Sequence, residues 1–305
     1  MPDFSFWLNK ATKLRVDAAR GDPAPHKPLL LLVVLELAER GELGAELALS
    51  PDLVFRFSVF SSVVASRRSQ PPSVRLPFHH LKGDGFWEPL MKDGSPSPDK
   101  KLTTKVRLHP EFRECLQHSG FREQARRTII AQGRYFNLQE QIALYALVGI
   151  PVPDQNVMRE DAAQYRTEES KGREGRFRID VVVVAYQHRC ALTGYRLTTL
   201  GMESIVDAAH IHQFSYSKNN HPSNGLALCK NAHWQFDRGL WSVTDDFRVL
   251  VDANKFDESG GGDWSLVHMA GRNLYLPARR EYWPSTVHLD WHRQNRFFAA
   301  FEKVV

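Results

Sequence analysis

The stretch from Ile205 to Asp237 constrains this chain most, because residues of catalytic type recur there inside an apolar frame. An apolar run ends at Asp207 and His210, and a polar loop rich in Ser, Asn and Pro follows. Asn224 closes that loop, and His233 comes nine residues later. The pattern predicts a strand, a turn-forming connection, and a short strand or turn that enters a helix.

The polar residues of this stretch have the types needed to hydrolyse a phosphodiester. His233 and Asp237 share one helical face at a spacing of four residues, where an imidazole and a carboxylate can hold one metal ion. Such an ion stabilises charge on the phosphate and the leaving oxygen. We expect His210 to be the general base, because histidine ordinarily titrates near neutrality, and Asn224 to orient its ring. Asp207 is a third candidate metal ligand.

These residues resemble the HNH, or ββα-metal, nuclease family over roughly residues 175–250. Its catalytic motif falls on His210, Asn224 and His233. The resemblance implies a metal-dependent DNA endonuclease, and the oxygen and imidazole ligands favour Mg²⁺ or Mn²⁺, one ion per site. Many members carry Asp or His directly before the first His. Here that position is Ala209, so we expect Asp207 to substitute for it.

Two cysteines mark where related nucleases often carry two C-x-x-C pairs. The corresponding places are Cys190-Ala-Leu-Thr193 and Cys229-Lys-Asn-Ala232, so half of each pair is missing. This disfavours a structural zinc, which needs four ligands. We expect Cys190 and Cys229 to pack as small apolar residues instead.

The positive charge of the chain lies in the half without the nuclease motif. Residues 1–150 contain 21 Lys+Arg and 16 Asp+Glu, a net +5, whereas residues 151–305 contain 19 of each. A basic surface is typical of proteins that bind phosphates. A basic loop at Arg67 and Arg68 and a helix N-terminus at His26 and Lys27 are suited to such contacts. The charge of the first half therefore favours a DNA-binding function for it.

A second resemblance rests on three segments of that half. They are A-P-H-K-P-L-L-L-L from Ala24, R-L-P-F-H-H-L from Arg75 and D-G-F-W from Asp84. They are similar to the sulfur-binding domains of modification-dependent restriction enzymes, over roughly residues 1–150. Those domains recognise DNA phosphorothioates, in which sulfur replaces a non-bridging oxygen. Sulfur is larger and less strongly hydrated than oxygen, so an apolar recess beside cations favours it. The predicted DNA contacts are His26, Lys27, Arg67, Arg68, Arg75, Leu76, Pro77, Phe78, His79, His80, Lys101 and Lys105.

The recess itself is expected in a turn-rich segment, lined by Leu76, Pro77 and Phe78 with His79 and His80. The resembled family commonly has Tyr where this chain has Leu76. The whole chain is then an α+β protein of two domains. Residues 1–150 form a mainly helical DNA-recognition domain, residues 151–176 a partly helical linker, and residues 177–305 the nuclease domain with a C-terminal cap.

Several absences complete the prediction. No run of about 18 apolar residues occurs, so we expect no membrane span. No Walker-type phosphate loop occurs, so we expect no nucleotide cofactor. Three cysteines give no even disulfide framework and favour the cytoplasm. The partner is double-stranded DNA, and a double-strand cut by a single-site module suggests a homodimer.

Two alternatives to a phosphorothioate-dependent restriction endonuclease stay open from the sequence. The first is an HNH endonuclease that reads a modified base such as methylcytosine, because the Phe78 and Trp87 region also fits an aromatic pocket. The second is a DNA-binding protein with a degenerate HNH fold that does not cut. Metal-dependent nicking of DNA separates this second alternative from both nucleases.

Overall fold

The computed structural model describes residues 2–17, 23–65, 73–153, 162–199 and 203–298, with the side chains of 162–167 left out. The chain divides into two compact units, Met1–Arg176 and Phe177–Val305. Helices and small antiparallel sheets occur in it, which confirms the predicted α+β class. Within the described ranges, no helix combines the length and apolar character needed to cross a membrane.

The first unit is mainly helical with one small sheet. Its helices are α1 (Phe4–Thr12), α2 (His26–Glu39), α3 (Pro51–Ser62), α4 (Arg75–His80), α5 (Pro110–Gln117), α6 (Ser119–Ile130), α7 (Leu138–Val148) and α8 (Ala162–Arg178), whose last two residues belong to the second unit. Its strands are β1 (Glu46–Ala48), β2 (Trp87–Leu90) and β3 (Lys105–Leu108), antiparallel in the order β1-β3-β2.

Helix α2 lies in the core of this unit. Every residue from Pro28 to Leu35 is buried, as expected for a helix that is apolar all round. Pro28 stands in the first turn, where its missing N–H costs no hydrogen bond. The sequence pattern therefore predicts the position of α2 and the burial of its apolar residues.

The segment predicted as a turn-rich recess is instead helix α4. Pro77 is tolerated there because it lies in the first turn, where backbone N–H groups have no partner within the helix. The helix buries Phe78 and His79 in the core. His79 Nδ1 lies 2.7 Å from Thr103 Oγ1, so its imidazole is part of a buried polar contact.

The predicted linker, residues 151–176, belongs in part to the first unit. Residues 154–161 lie outside the described ranges, but α8 packs its glycines against α7. A Cβ on Gly172 would lie 2.2 Å from the carbonyl oxygen of Ala143, so only glycine permits this close approach. The high polarity of the segment predicts solvent exposure, so the contact between α8 and α7 could not be predicted from it.

The second unit begins with a π-helical turn, Ile179–Ala185, that continues α8. It then contains β4 (Val206–His210), α9 (Phe214–Ser217), β5 (Gly225–Cys229), α10 (Lys230–Asp237), β6 (Trp241–Val243), β7 (Val249–Val251), α11 (Leu266–Met269) and α12 (Thr286–His292). Strands β4 and β5 form an antiparallel hairpin in which His210 pairs with Gly225. Strands β6 and β7 form a second antiparallel pair.

Candidate active site

The hairpin β4-β5 followed by α10 forms a ββα unit that contains the sequence motif. His210 ends β4, and its ring stacks on Phe177 with centroids 3.9 Å apart. His210 Nε2 lies 2.8 Å from Asn220 Oδ1. Since that oxygen only accepts, Nε2 carries the proton and Nδ1 carries the lone pair. The structure thus selects the tautomer in which Nδ1 is the basic nitrogen.

Asn224 has a different role from the one predicted. Its buried side chain accepts from the backbone N–H of His212 at 2.8 Å and donates to the carbonyls of His212 and Asn219 at 2.9 Å each. Asn224 therefore ties together the ends of the polar loop, and Asn220 orients the His210 ring. Sequence reasoning missed Asn220 because the loop contains several asparagines and no periodicity that separates them.

The predicted metal-binding pair lies on α10 as expected from its spacing. His233 Nε2 and Asp237 Oδ2 are 3.5 Å apart, with the two side chains 30% and 52% exposed. The neighbouring row of the helix, Ala232 and Phe236, is buried, and the pair itself stays partly exposed to solvent. An imidazole and a carboxylate at this separation suit one divalent ion, with its other positions left for water and phosphate oxygens.

Asp207 is not brought together with that pair. Its carboxylate accepts from Arg178 Nε at 2.8 Å, and it occupies the position in β4 opposite Leu228. Among the described residues, no group of three or more His, Cys, Asp or Glu side chains is arranged to hold a metal ion. His210 and Asp207 are three residues apart, so their side chains leave opposite faces of the strand. Of the three predicted metal ligands, His233 and Asp237 therefore lie close to each other and Asp207 does not.

The two remnant cysteines contact each other. Their sulfur atoms are 3.8 Å apart, and neither forms a disulfide. Hydrogen bonding between the two sulfur atoms lowers the pKa of Cys190, and the same contact raises the pKa of Cys229. Cys190 is buried and Cys229 half-buried, at the N-cap of α10. This contact connects the start of α10 to the loop at residue 190.

Several predicted DNA contacts of the first unit are engaged within the protein. Lys27 Nζ lies 2.6 Å from Asp84 Oδ2, and Lys105 Nζ lies 2.8 Å from Glu46 Oε2. These carboxylates neutralise two of the predicted cations. His26, at the first position of α2, is half-buried. Arg67 and Arg68 lie outside the described residues.

Other predicted contacts remain at the surface. Within the α4 segment Arg75 and Leu76 are half-buried, Pro77 is buried, and His80 is exposed; Lys101 is exposed as well. The pKa of His80 is lowered first by partial burial and then by nearby cations. Those cations are Lys27, Lys100 and Lys82.

We call His80, Lys82 and Lys100 the cationic surface. Lys82 and Lys100 were not among the predicted DNA contacts, although Lys100 directly precedes the predicted contact Lys101. The positive charges of both lysines help to lower the pKa of His80.

Comparisons with known proteins agree with the ββα geometry. Residues 190–244 match the family model of the HNH endonuclease. A solved structure titled modification dependent TagI restriction endonuclease is similar to this chain at 22% identity and a TM-score of 0.29. That similarity covers 40% of this chain and 37% of the other, and at this TM-score it carries no argument. No curated protein matches the chain.

Residues 190–244 are therefore an HNH endonuclease domain. The match spans β4, the polar loop, β5 and α10, so it includes every motif residue from Asp207 to Asp237.

Proposed function

We propose that this chain is a restriction endonuclease that recognises phosphorothioate-modified DNA with its first unit and cuts nearby with its HNH domain. The observation that supports cutting most is the orientation of His210, held at Nε2 by Asn220 with Nδ1 as the basic nitrogen. A general base needs an unprotonated ring nitrogen, and this hydrogen bond assigns that state to Nδ1.

In the proposed reaction, His210 Nδ1 takes a proton from a water molecule as its oxygen attacks phosphorus. A new phosphorus–oxygen bond forms, and the bond to the deoxyribose oxygen breaks. Solvent supplies the proton that this leaving oxygen needs. Stacking on Phe177 at 3.9 Å keeps the imidazole ring in place during the transfer. Positioned general bases contribute about 10²–10⁴-fold to such rates.

His233 and Asp237 would hold the divalent ion, Mg²⁺ or Mn²⁺. When bound, the ion would supply positive charge that stabilises the phosphate and the leaving oxygen. The two side chains lie on a single helix that Phe236 anchors in the core, so their separation is maintained without other ligands.

The proposed reader combines the cationic surface with the apolar side of Leu76. The lysines would hold the phosphate charge, and Leu76 would contact the poorly hydrated sulfur. Phe78 and His79 would support this surface from the core, because both are buried. A reader of flipped bases is less well supported: Phe78 and Trp87 are buried, and the indole N–H donates to the Phe78 carbonyl at 2.8 Å. Neither ring offers a face to a base.

A binding comparison tests the reader. The full chain is titrated with one short duplex, with and without a single phosphorothioate of defined stereochemistry, at fixed salt. We expect preferential binding of the sulfur-bearing duplex. Lys100→Gln should weaken binding of both duplexes, and Lys92→Gln, an exposed lysine outside the cationic surface, should change neither. Equal affinity of the wild-type chain for both duplexes would contradict sulfur recognition.

A cleavage assay tests the nuclease separately. His210→Ala should reduce DNA cutting by about 10²–10⁴-fold and leave DNA binding intact. Wild-type turnover by this variant would show that His210 is not the base. A homodimer on DNA and a cytoplasmic location stay predictions, and light scattering of the protein–DNA complex would measure the first.

A further inference from the structure

The metal-binding helix carries a second row of side chains that the proposed reaction does not use. Lys230, Trp234 and Arg238 follow one another at intervals of four residues, beside the row of His233 and Asp237. Successive residues of an α-helix are 1.5 Å apart along the axis and about 100° apart around it. The second row therefore runs next to the metal-binding pair. We call Lys230, Trp234 and Arg238 the basic–aromatic row.

The members of this row face solvent. The indole of Trp234 is 53% exposed, and Lys230 and Arg238 are exposed as well. The guanidinium carbon of Arg238 lies 4.2 Å from the Trp234 ring centroid, a cation–π contact. Arg238 thus covers part of the indole and limits its rotation, while the ring keeps half of its surface accessible.

We infer that the basic–aromatic row binds the DNA strand next to the scissile phosphate. This inference rests on the proposed DNA-cutting function. A phosphate positioned at His233 and Asp237 has its neighbouring nucleotide beside the adjacent row, because the two rows are one residue apart. The chemistry fits this occupant: an indole offers a surface on which a base or sugar packs, and the two cations complement flanking phosphates.

This surface would give the nuclease domain its own hold on DNA, independent of the modification. Residues 151–305 are neutral overall, so Lys230 and Arg238, at the two ends of α10, form a local positive surface in a neutral part of the chain. Stacking and phosphate contacts do not depend on base sequence, so the row would position the strand for cutting without specifying where the modification lies. The first unit would select modified DNA, and α10 would position the phosphodiester bond that is cut.

Equilibrium binding tests the aromatic contact. In the cleavage-deficient His210→Ala chain, Trp234→Ala should weaken binding of a short unmodified duplex about tenfold, because the strand loses its packing contact with the indole. Trp234→Phe should retain most of the affinity, because it keeps an aromatic face. The control is Trp264→Ala, since Trp264 is 58% exposed and its ring contacts Tyr195 at 5.3 Å. This control should bind like its parent.

The cations have a separate signature in salt dependence. Lys230→Gln and Arg238→Gln should each reduce the slope of log affinity against log salt by about 0.9, the effect of losing one phosphate contact. Thermal denaturation of every variant would establish that α10 still folds. Binding by Trp234→Ala that equals the Trp264→Ala control would overturn the inference.

Cleavage rates separate this inference from the proposed function. With catalytically competent His210, Trp234→Ala should raise KM and leave kcat within about threefold, because the indole binds DNA without touching the reacting atoms. A large fall in kcat with unchanged affinity would assign Trp234 to support of α10 and overturn the inference. If the wild-type chain cuts no DNA with Mg²⁺ or Mn²⁺, the proposed function itself fails.

Discussion

At the scale of the residue, the proposed reaction depends on which nitrogen of His210 carries the proton. Asn220 decides this by accepting from Nε2 at 2.8 Å, and Phe177 restricts the ring to one plane. Without the amide oxygen, the ring would exchange between tautomers and lose part of its basic form at Nδ1. Asn220 is thus a positioning residue that acts through His210.

Asn220→Ala should lower kcat by about tenfold and leave DNA affinity unchanged, because a wrongly oriented base loses part of a general-base effect of 10²–10⁴-fold. Asn220→Asp should retain the orientation, and its added negative charge should raise the pH at which the base becomes active. A pH profile of kcat measures both. The exposed Asn273→Ala is the control. Unchanged kcat and profile in Asn220→Ala would contradict the assigned role.

Asp237→Ala should raise the Mn²⁺ concentration required for cutting by at least tenfold, since it removes one of two protein ligands. Asp207→Ala should leave that requirement unchanged, because Asp207 binds Arg178. This ion pair is partly exposed, so its loss should cost at most about 1 kcal/mol of stability. Metal titrations of cleavage and thermal denaturation provide the measurements. If both substitutions raise the required Mn²⁺ concentration equally, Asp207 is a metal ligand after all.

At the scale of the element, regular patterns were predictable and irregular ones were not. The spacing of His233 and Asp237 predicts their shared helix face, and continuous apolar character predicts the burial of α2. The polar loop that contains Asn220 has no period, so its internal contacts depend on the folded geometry. Helix α4 was missed because a proline near its start resembles a turn. The α8 contact with α7 was missed because glycines in a charged segment resemble a linker.

Helix α12 packs against α10 through one buried histidine. The His292 ring stacks on Phe236 at 3.7 Å, Nε2 donates to the Phe236 carbonyl at 3.1 Å, and Nδ1 accepts from Ser242 at 2.9 Å. In the neutral His292 ring, each nitrogen therefore has a hydrogen-bond partner. Burial, together with the nearby positive charges of Arg296 and Arg293, lowers the pKa of His292 to about 3.

This burial predicts acid sensitivity of the second unit. The ordinary histidine pKa is about 6.5, so below that pH the unfolded chain binds a proton that the folded chain excludes. The free energy of unfolding should therefore fall as pH decreases from about 6.5 toward 3, and should be about 2 kcal/mol lower at pH 5 than at pH 7. Denaturant titrations measure it. The non-titrating His292→Gln should be less stable at neutral pH and show a weaker decline. Equal declines would contradict this account.

At the scale of the whole molecule, charge is distributed unevenly along the chain. Residues 1–150 carry the net +5 and residues 151–305 carry none, yet the HNH domain lies in the neutral part. Part of the positive charge is already neutralised, as in the pairs of Lys27 with Asp84 and Lys105 with Glu46. Sequence counting could predict which half is basic. It could not predict which cations remain for DNA, because that depends on partners distant in the chain.

Affinity and sulfur preference should therefore be separable in the first unit. Each cation that contacts a phosphate releases counterions, so Lys82→Gln with Lys100→Gln should reduce the slope of log affinity against log salt by about 1.8. The loss should be equal for sulfur-bearing and unmodified duplexes. Leu76→Ala should keep the slope, because it removes no charge, and should reduce the ratio of the two affinities by several fold, because it removes apolar surface beside the phosphate.

Binding isotherms for both duplexes over a range of salt concentrations test this separation, with Lys92→Gln as the charge control. Thermal denaturation would show that Leu76→Ala, a half-buried position, still folds. A change in the sulfur preference of the double lysine variant, with no change in its salt slope, would place recognition in the lysines. The apolar contact would then have no role in recognition. If Leu76→Ala instead retains the full preference, the sulfur contact lies elsewhere in the first unit.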